Sequence, residues 1–140
     1  MKLTLLGTGT PTPSTVRSGS SYLLETAEDM VLFDCGPGSY FRYLQTGRAL
    51  TQISHIVFSH LHYDHCADFA AIALARWDQS GGQVPDLTII GPPGITLSTR
   101  SWVRRVHLRR TRKPAPTIRA ASPTTTSAAG WATARASRRL

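Results

Sequence analysis

The chain has 140 residues, a length that suits one modest domain with a single hydrophobic core. It contains no apolar run long enough to span a membrane, and the short apolar stretch after Met1 does not suit a signal peptide. We therefore expect a cytoplasmic protein with no membrane partner. Cys35 and Cys66 are too few and wrongly spaced for a disulfide framework, so we expect reduced, buried thiols. A role of Cys66 near a metal ion is the alternative.

Charge is divided unevenly along the chain. Residues 1–95 carry five cations and all eight acids, whereas residues 96–140 carry eleven cations and no acid. Such an asymmetry is typical of a basic arm that binds nucleic acid or an acidic membrane surface.

Short apolar runs alternate with turn residues through residues 1–95. We predict strands at 2–6, 20–25, 30–34, 54–58 and 87–90, and helices at 38–47 and 66–77. The second and third strands are close enough in sequence to form an antiparallel hairpin, and the continuous apolar run of the third predicts burial on both of its faces. Together the pattern predicts an α/β fold.

A loop rich in glycine and proline follows the first strand, at residues 7–14. Its spacing is not that of a dinucleotide-binding fingerprint, since the GxGxxG pattern and the following helix are absent. Two interpretations stay open. The backbone amides of the loop line a phosphate site, or the loop only connects two strands.

The highest density of candidate metal-binding residues comes directly after the fourth strand, in the stretch SHLHYDH at residues 59–65. His60 and His62 are two positions apart, so their side chains point the same way in extended chain. Asp64 and His65 follow where the chain turns into the next helix. Because imidazole nitrogens and carboxylates are preferred ligands of Zn²⁺, the stretch predicts a metal site at the end of a strand.

Asp34 ends the third strand just before Cys35, Gly36 and Pro37. An acid in this position either orients a metal ligand through a hydrogen bond or stabilises the turn as an Asx residue.

The pattern His60-x-His62-x-Asp64-His65 resembles the metal motif of the metallo-β-lactamase superfamily. Three further stretches make the resemblance closest to the ribonuclease Z-like branch: LLGTGTP at 5–11, LFDCG at 32–36 and IIGPP at 89–93. The resemblance covers residues 1–95. It implies the N-terminal half of a four-layer αββα sandwich.

The same resemblance implies a zinc-dependent hydrolase with two metal ions per intact site. His60 and His62 would bind one ion, Asp64 and His65 the other, and Asp64 would also accept a proton from bound water. The implied substrates are phosphodiesters, with tRNA 3′ processing as one case, or small esters, lactones and sulfates. A homo-oligomer is compatible with this family.

The ligands that would complete such a site are missing from the later sequence. After His65 the remaining histidine is His107, and no carboxylate follows Asp86. We therefore expect the 140-residue chain to bind metal weakly and to hydrolyse little. An inactive truncated remnant and an RNA-binding module are the alternative functions.

Residues 96–140 differ in composition from the predicted domain at 1–95. Of these 45 residues, 34 are Ala, Arg, Ser, Thr or Pro, without a sustained apolar period. This composition predicts a largely disordered basic tail. It suits an arm for RNA phosphates, a solvated tail, or an out-of-frame reading of a GC-rich gene, and we favour the last. Sequencing the gene tests it, since another frame after codon 95 should then continue with acids and histidines.

Overall fold

The fold is described from a computed structural model, which places residues 1–81, 83–95, 117–120 and 132–137. Its strands are β1 Lys2–Gly7, β2 Ser21–Glu25, β3 Met30–Phe33, β4 His55–Val57, β5 Leu87–Gly91, β6 Thr117–Ala120 and β7 Ala132–Ser137. Its helices are α1 Ser39–Leu44, α2 Tyr63–Cys66 and α3 Phe69–Gln79, with a 3-10 helix at Leu50–Gln52. None of the helices in this described part is long and apolar enough to cross a membrane.

One mixed sheet carries these strands in the order β1-β2-β3-β4-β5-β7-β6. β2 pairs antiparallel with both β1 and β3, whereas β4 lies parallel to both β3 and β5. The predicted hairpin is confirmed, because Tyr22 pairs with Phe33 and Glu25 pairs with Met30 across β2 and β3. The predicted α/β class is therefore confirmed.

The core lies on one face of the sheet. Residues that pair side by side form a buried row across four strands, and these are Leu23, Leu32, Ile56 and Ile89. Helices α1 and α3 add Tyr43, Phe69 and Ile72 to the same cluster. Burying large side chains of this kind stabilises a fold by roughly 2 kcal/mol each.

The opposite face of the sheet is apolar but more exposed. Leu3 and Leu5 of β1 are 60% and 63% exposed, and Val31 and Phe33 of β3 are only half-buried. The prediction that β3 is buried on both faces is therefore wrong. Its apolar run covers both sides, but the described elements pack on one of them.

The predicted helix at 66–77 is two helices in the structure, with Ala67 and Asp68 between α2 and α3. The interruption occurs because Asp68 bonds elsewhere. Its backbone N–H donates to the Cys35 carbonyl at 2.9 Å, and its carboxylate accepts the Tyr40 N–H at 3.0 Å. These bonds attach the start of α3 to the connection between β3 and α1.

Strands β6 and β7 lie within the segment that the sequence predicts to be a tail. β7 pairs antiparallel with β5, from Leu87 opposite Ala136 to Gly91 opposite Ala132, and β6 pairs with β7 on its outer side. Pairing of this kind needs no side-chain periodicity, because the free N–H and C=O groups of a strand edge can bond any extended chain. The rest of the segment lies outside the described residues, and its disorder stays a prediction.

Candidate metal centre

The four residues His60, His62, Asp64 and His65, called here the histidine cluster, follow the C-terminal end of β4. The rings of His60 and His65 have centroids 4.0 Å apart, and those of His60 and His62 are 4.7 Å apart. Since β3 and β4 are parallel, the end of β3 with Asp34 lies at the same edge of the sheet. The structure thus brings all five predicted site residues to one place.

Asp34 is a buried carboxylate whose oxygens are both hydrogen-bonded. Oδ1 accepts the backbone N–H of Ser59 at 2.8 Å, and Oδ2 accepts the Ser59 hydroxyl at 2.7 Å. Oδ2 also lies 2.7 Å from Nδ1 of His65. The backbone of Asp34 is in the left-handed region, at φ 55°, which aspartate tolerates better than most residues. This geometry places Asp34 against a member of the histidine cluster, as the metal-orienting interpretation predicts.

The contact with Asp34 defines the tautomer of His65. A carboxylate oxygen can only accept, so Nδ1 of His65 must carry the proton, and Nε2 of the neutral ring keeps its lone pair. That Nε2 lies 3.4 Å from Oδ2 of Asp64, which is buried. The arrangement presents one imidazole nitrogen and one carboxylate to the same small volume.

Ser59 is a site residue to which the sequence assigns no role. Its hydroxyl donates a hydrogen bond to Asp34. The hydroxyl oxygen lies 3.1 Å from Nδ1 of His60 and can accept a hydrogen bond from that nitrogen. His60 then also has Nε2 as its free nitrogen. The position of Ser59, between the strand and the motif, was the available signal, but serine at a strand end is too common to be diagnostic.

The Cys66 side chain is hydrogen-bonded to the backbone of the cluster. Burial, and then the charges of Asp34 and Asp64, raise the pKa of the Cys66 thiol. The thiol donates to the His62 carbonyl with an Sγ to O distance of 3.1 Å. Burial, and then the charge of Asp34, likewise holds the pKa of Cys35 well above its ordinary value. Both cysteines are free and buried, as predicted, and neither favours the thiolate that binds metals.

Two glycines bring the neighbouring loops against the cluster. A Cβ on Gly36 would lie 2.2 Å from the Asp64 carbonyl oxygen, and one on Gly19 would lie 3.0 Å from the same atom. The Cys35 N–H donates to the His65 carbonyl at 2.6 Å. The helix that carries Asp64 and His65 is thus held by backbone contacts that allow no side chain at residue 36.

The histidine cluster fits a metal ion in the kind of its donors. Imidazole nitrogens and a carboxylate suit zinc, and two of the rings have a defined tautomer. The cluster has too few suitably arranged donors, because no group of three or more His, Cys, Asp or Glu within the described residues is arranged to hold a metal. His107 lies outside the described residues. The ligand roles of His60, His62, Asp64 and His65 therefore stay predictions.

This architecture, with a histidine motif at the end of a sheet strand, is shared with a known class of proteins. The family model described as metallo-beta-lactamase superfamily matches residues 14–126. The chain belongs to this superfamily.

Particular relatives narrow the resemblance to ribonuclease Z. A ribonuclease Z of Mycolicibacterium gilvum is 41% identical over 95 residues, which cover 67% of this chain and 33% of the relative. Human tRNase Z, short form, has a similar fold with a TM-score of 0.67 and 28% identity, covering 76% of this chain and 41% of that one. A long-form RNase Z from yeast, at 16% identity over 86% of this chain and 20% of that chain, shares the fold with a TM-score of 0.62.

These comparisons confirm the predicted resemblance and leave its extent open. The chain spans about one third of the length of the curated relatives that it matches. The family match crosses residue 95, so the division into 1–95 and 96–140 stays a prediction.

Proposed function

We propose that the histidine cluster is part of the metal centre of a zinc-dependent hydrolase that cleaves phosphodiester bonds in RNA. The observation that carries the proposal is the contact between Asp34 and His65, because a buried carboxylate that holds Nδ1 leaves Nε2 free for a metal. Similarity to ribonucleases Z supports RNA as the substrate. A small ester or another phosphodiester is the alternative substrate.

Each residue has a proposed task in this centre. His60 and His65 would offer Nε2 atoms, because Ser59 and Asp34 hold their Nδ1 atoms. His62 would offer a third imidazole and Asp64 a carboxylate oxygen. A bound zinc ion supplies a water of lowered pKa at the site. The buried Asp64 carboxylate, beside Nε2 of His65, is our candidate to take up the proton.

The number of metal ligands limits the activity that we propose for these 140 residues. The described residues gather no complete set of metal ligands. We therefore propose that the 140-residue chain binds zinc weakly and turns over slowly. The lack of any carboxylate after Asp86 favours the inactive remnant as the second candidate, and the eleven cations of residues 96–140 favour an RNA-binding module as the third.

Zinc content and hydrolysis of bis(p-nitrophenyl) phosphate, measured on the full chain, test the proposal. His62→Ala should lower zinc affinity by more than about 100-fold and remove any turnover, since a ligand matters at least as much as its supporting partners. His55→Ala is the matched control, because its ring bonds Ser54 and Asp29 rather than the cluster. Equal zinc binding by the wild type and His62→Ala would refute the metal centre. Zinc binding without turnover would support the remnant.

A further inference from the structure

A second concave site lies outside the histidine cluster, between β1, the segment at 16–18 and α1. We call it the cationic groove and define it by Lys2, Thr8, Arg17, Ser18, Arg42 and Thr46. Its volume is about 520 Å³. The groove includes part of the glycine-rich loop for which the sequence leaves a phosphate role open.

Charge in this groove is opposite to that of the surrounding domain. Residues 1–95 carry five cations against eight acids, yet three of those cations line the groove and no carboxylate does. A concave site of one charge concentrates its field and attracts ligands of the opposite charge. The charge of this groove therefore suits an anion.

The Arg42 guanidinium is held in place by uncharged hydrogen-bond partners, none of which offsets its positive charge. Its Nε donates to the Ser18 hydroxyl at 3.3 Å, one terminal nitrogen to Gln45 Oε1 at 3.3 Å, and the other to the Val16 carbonyl at 3.4 Å. A guanidinium has five N–H donors, so two remain for a ligand. It keeps its full positive charge, because none of these partners is an acid.

Lys2 and Arg17 add two more cations to the lining of the groove. The Lys2 ammonium is 3.3 Å from Glu25, but that carboxylate is also held by Arg48 at 2.7 Å, so Lys2 is only partly neutralised. The Arg17 side chain is exposed and makes no hydrogen bond or ion pair to the described residues. The hydroxyls of Thr8 and Ser18 also line the groove and suit phosphate oxygens, whereas the Thr46 hydroxyl donates to the Tyr43 carbonyl at 2.7 Å.

The groove and the histidine cluster share one short segment of chain. Ser18 lines the groove, and its carbonyl accepts the Gly9 N–H at 2.8 Å. The next residue, Gly19, packs so closely on Pro37 and on the Asp64 carbonyl that a Cβ there would collide with the proline. The groove and the cluster are therefore joined through two consecutive residues, Ser18 and Gly19.

We propose that the cationic groove binds a backbone phosphate of the RNA strand that the histidine cluster would cleave. This proposal rests on the proposed function for the identity of its ligand. It assigns Arg42 as the principal phosphate contact, and Arg17 as a second one.

Binding of a fluorescein-labelled oligouridylate of about ten nucleotides to the full chain, measured by anisotropy over a salt series, tests the groove. Arg17→Gln and Arg42→Gln should each weaken binding about tenfold, as expected for a lost bond to a charged group. Each should also reduce the salt slope by about 0.7, the value for one phosphate contact on a single strand. Arg48→Gln removes the same charge outside the groove, and since it leaves Glu25 to Lys2 alone, it should weaken binding by less than about twofold. Equal losses in all three variants would overturn the proposal.

A residue-resolved measurement separates the groove from the eleven cations of residues 96–140. In amide spectra of the full chain, the oligouridylate should shift Thr8, Ser18 and Thr46, and Arg17→Gln should suppress these shifts. Because the Arg17 side chain is exposed and makes no hydrogen bond or ion pair to the described residues, this variant tests the groove even where Arg42→Gln unfolds the chain. Unshifted groove amides, or equally tight binding of inorganic phosphate, would overturn an RNA strand as the ligand.

Failure of the groove and failure of the proposed function have different signatures. His62→Ala should abolish zinc binding and leave the oligouridylate shifts in place. Loss of the shifts in Arg17→Gln with zinc binding intact supports the groove. Normal shifts in a chain that binds no zinc would refute the metal centre and leave the groove standing.

Discussion

The histidine cluster and the cationic groove are two sites built in opposite ways. The cluster comes from six consecutive positions, and its carboxylate Asp64 is buried, as is the supporting Asp34. The groove takes its cations from Lys2, Arg17 and Arg42, which belong to three separate segments and are exposed. A site that must define tautomers needs dry, fixed hydrogen bonds, whereas a site that attracts an anion needs only charge in a concave place.

The segment at 17–20 and the turn at 34–37 lie between these two sites and join them. Gly19 packs on Pro37, and the Gly36 N–H donates to the Ser20 carbonyl at 3.1 Å. Changes at this junction should affect both sites, whereas changes inside one site should spare the other.

The largest expected effect comes from Gly36→Ala at the junction. Its Cβ would meet three backbone atoms, of Asp64, Gly19 and Ser20, at 2.2, 2.6 and 2.7 Å. None of them can rotate away, so we expect a loss of about 3 kcal/mol in the free energy of unfolding. Urea denaturation measures it.

Gly47→Ala is the matched control for that prediction. Gly47 has a positive φ of 73° but open space around its Cβ position, so the substitution should cost only about 1 kcal/mol. Gly36 itself has no positive φ, so equal losses for the two variants would show that the close junction does not set the cost at residue 36.

A smaller effect, confined to the cluster, is expected from Asp34→Asn. Asparagine tolerates the left-handed backbone, but it loses the charge that strengthens the bonds from Ser59 and His65. We expect about 2 kcal/mol less stability and ten- to hundredfold weaker zinc binding. Calorimetric titration with zinc measures the affinity.

Asp29→Asn serves as the control, because Asp29 pairs with His55 at 3.4 Å on the exposed side of the sheet. Oligouridylate binding in Asp34→Asn should match the wild type. A parallel loss of RNA binding would contradict the separation of the two sites.

The smallest effect is expected at Glu25, whose carboxylate pairs with Lys2 and so offsets part of the charge of the groove. Burial works to raise the pKa of Glu25, but hydrogen bonds from Lys2 and Arg48 outweigh it and lower that pKa. A lowered pKa in the folded state stabilises the fold above the unfolded pKa, and this contribution disappears as pH falls through the folded pKa. Urea denaturation from pH 7 to 3 should therefore show a stability difference between wild type and Glu25→Gln that shrinks on acidification.

Glu25→Gln should also release Lys2 and tighten oligouridylate binding about twofold at low salt. Glu28→Gln, in the exposed turn, loses the same charge away from the groove and should leave both quantities unchanged. Weaker RNA binding in Glu25→Gln would mean that Lys2 does not face the ligand.

The local motif of the histidine cluster could be predicted from the sequence, whereas contacts between distant segments could not. The strand that ends before Ser59 and the histidine motif was predictable, because periodicity and ligand chemistry both act over a few residues. The approach of Asp34 to His65 was open from sequence alone, since it depends on β3 and β4 lying parallel. The break in the helix at Asp68 and the groove around Arg42 depend on contacts between distant segments, which local patterns do not encode.

The most direct test of the account is the tautomer of His65 and His60 in the full chain, read from long-range nitrogen–proton correlation spectra. We expect a protonated Nδ1 on both rings, and added zinc should shift their Nε2 resonances while leaving those of His55 unchanged. A protonated Nε2 on His65, or a zinc shift confined to Nδ1, would contradict the role assigned to Asp34 and with it the proposed metal centre.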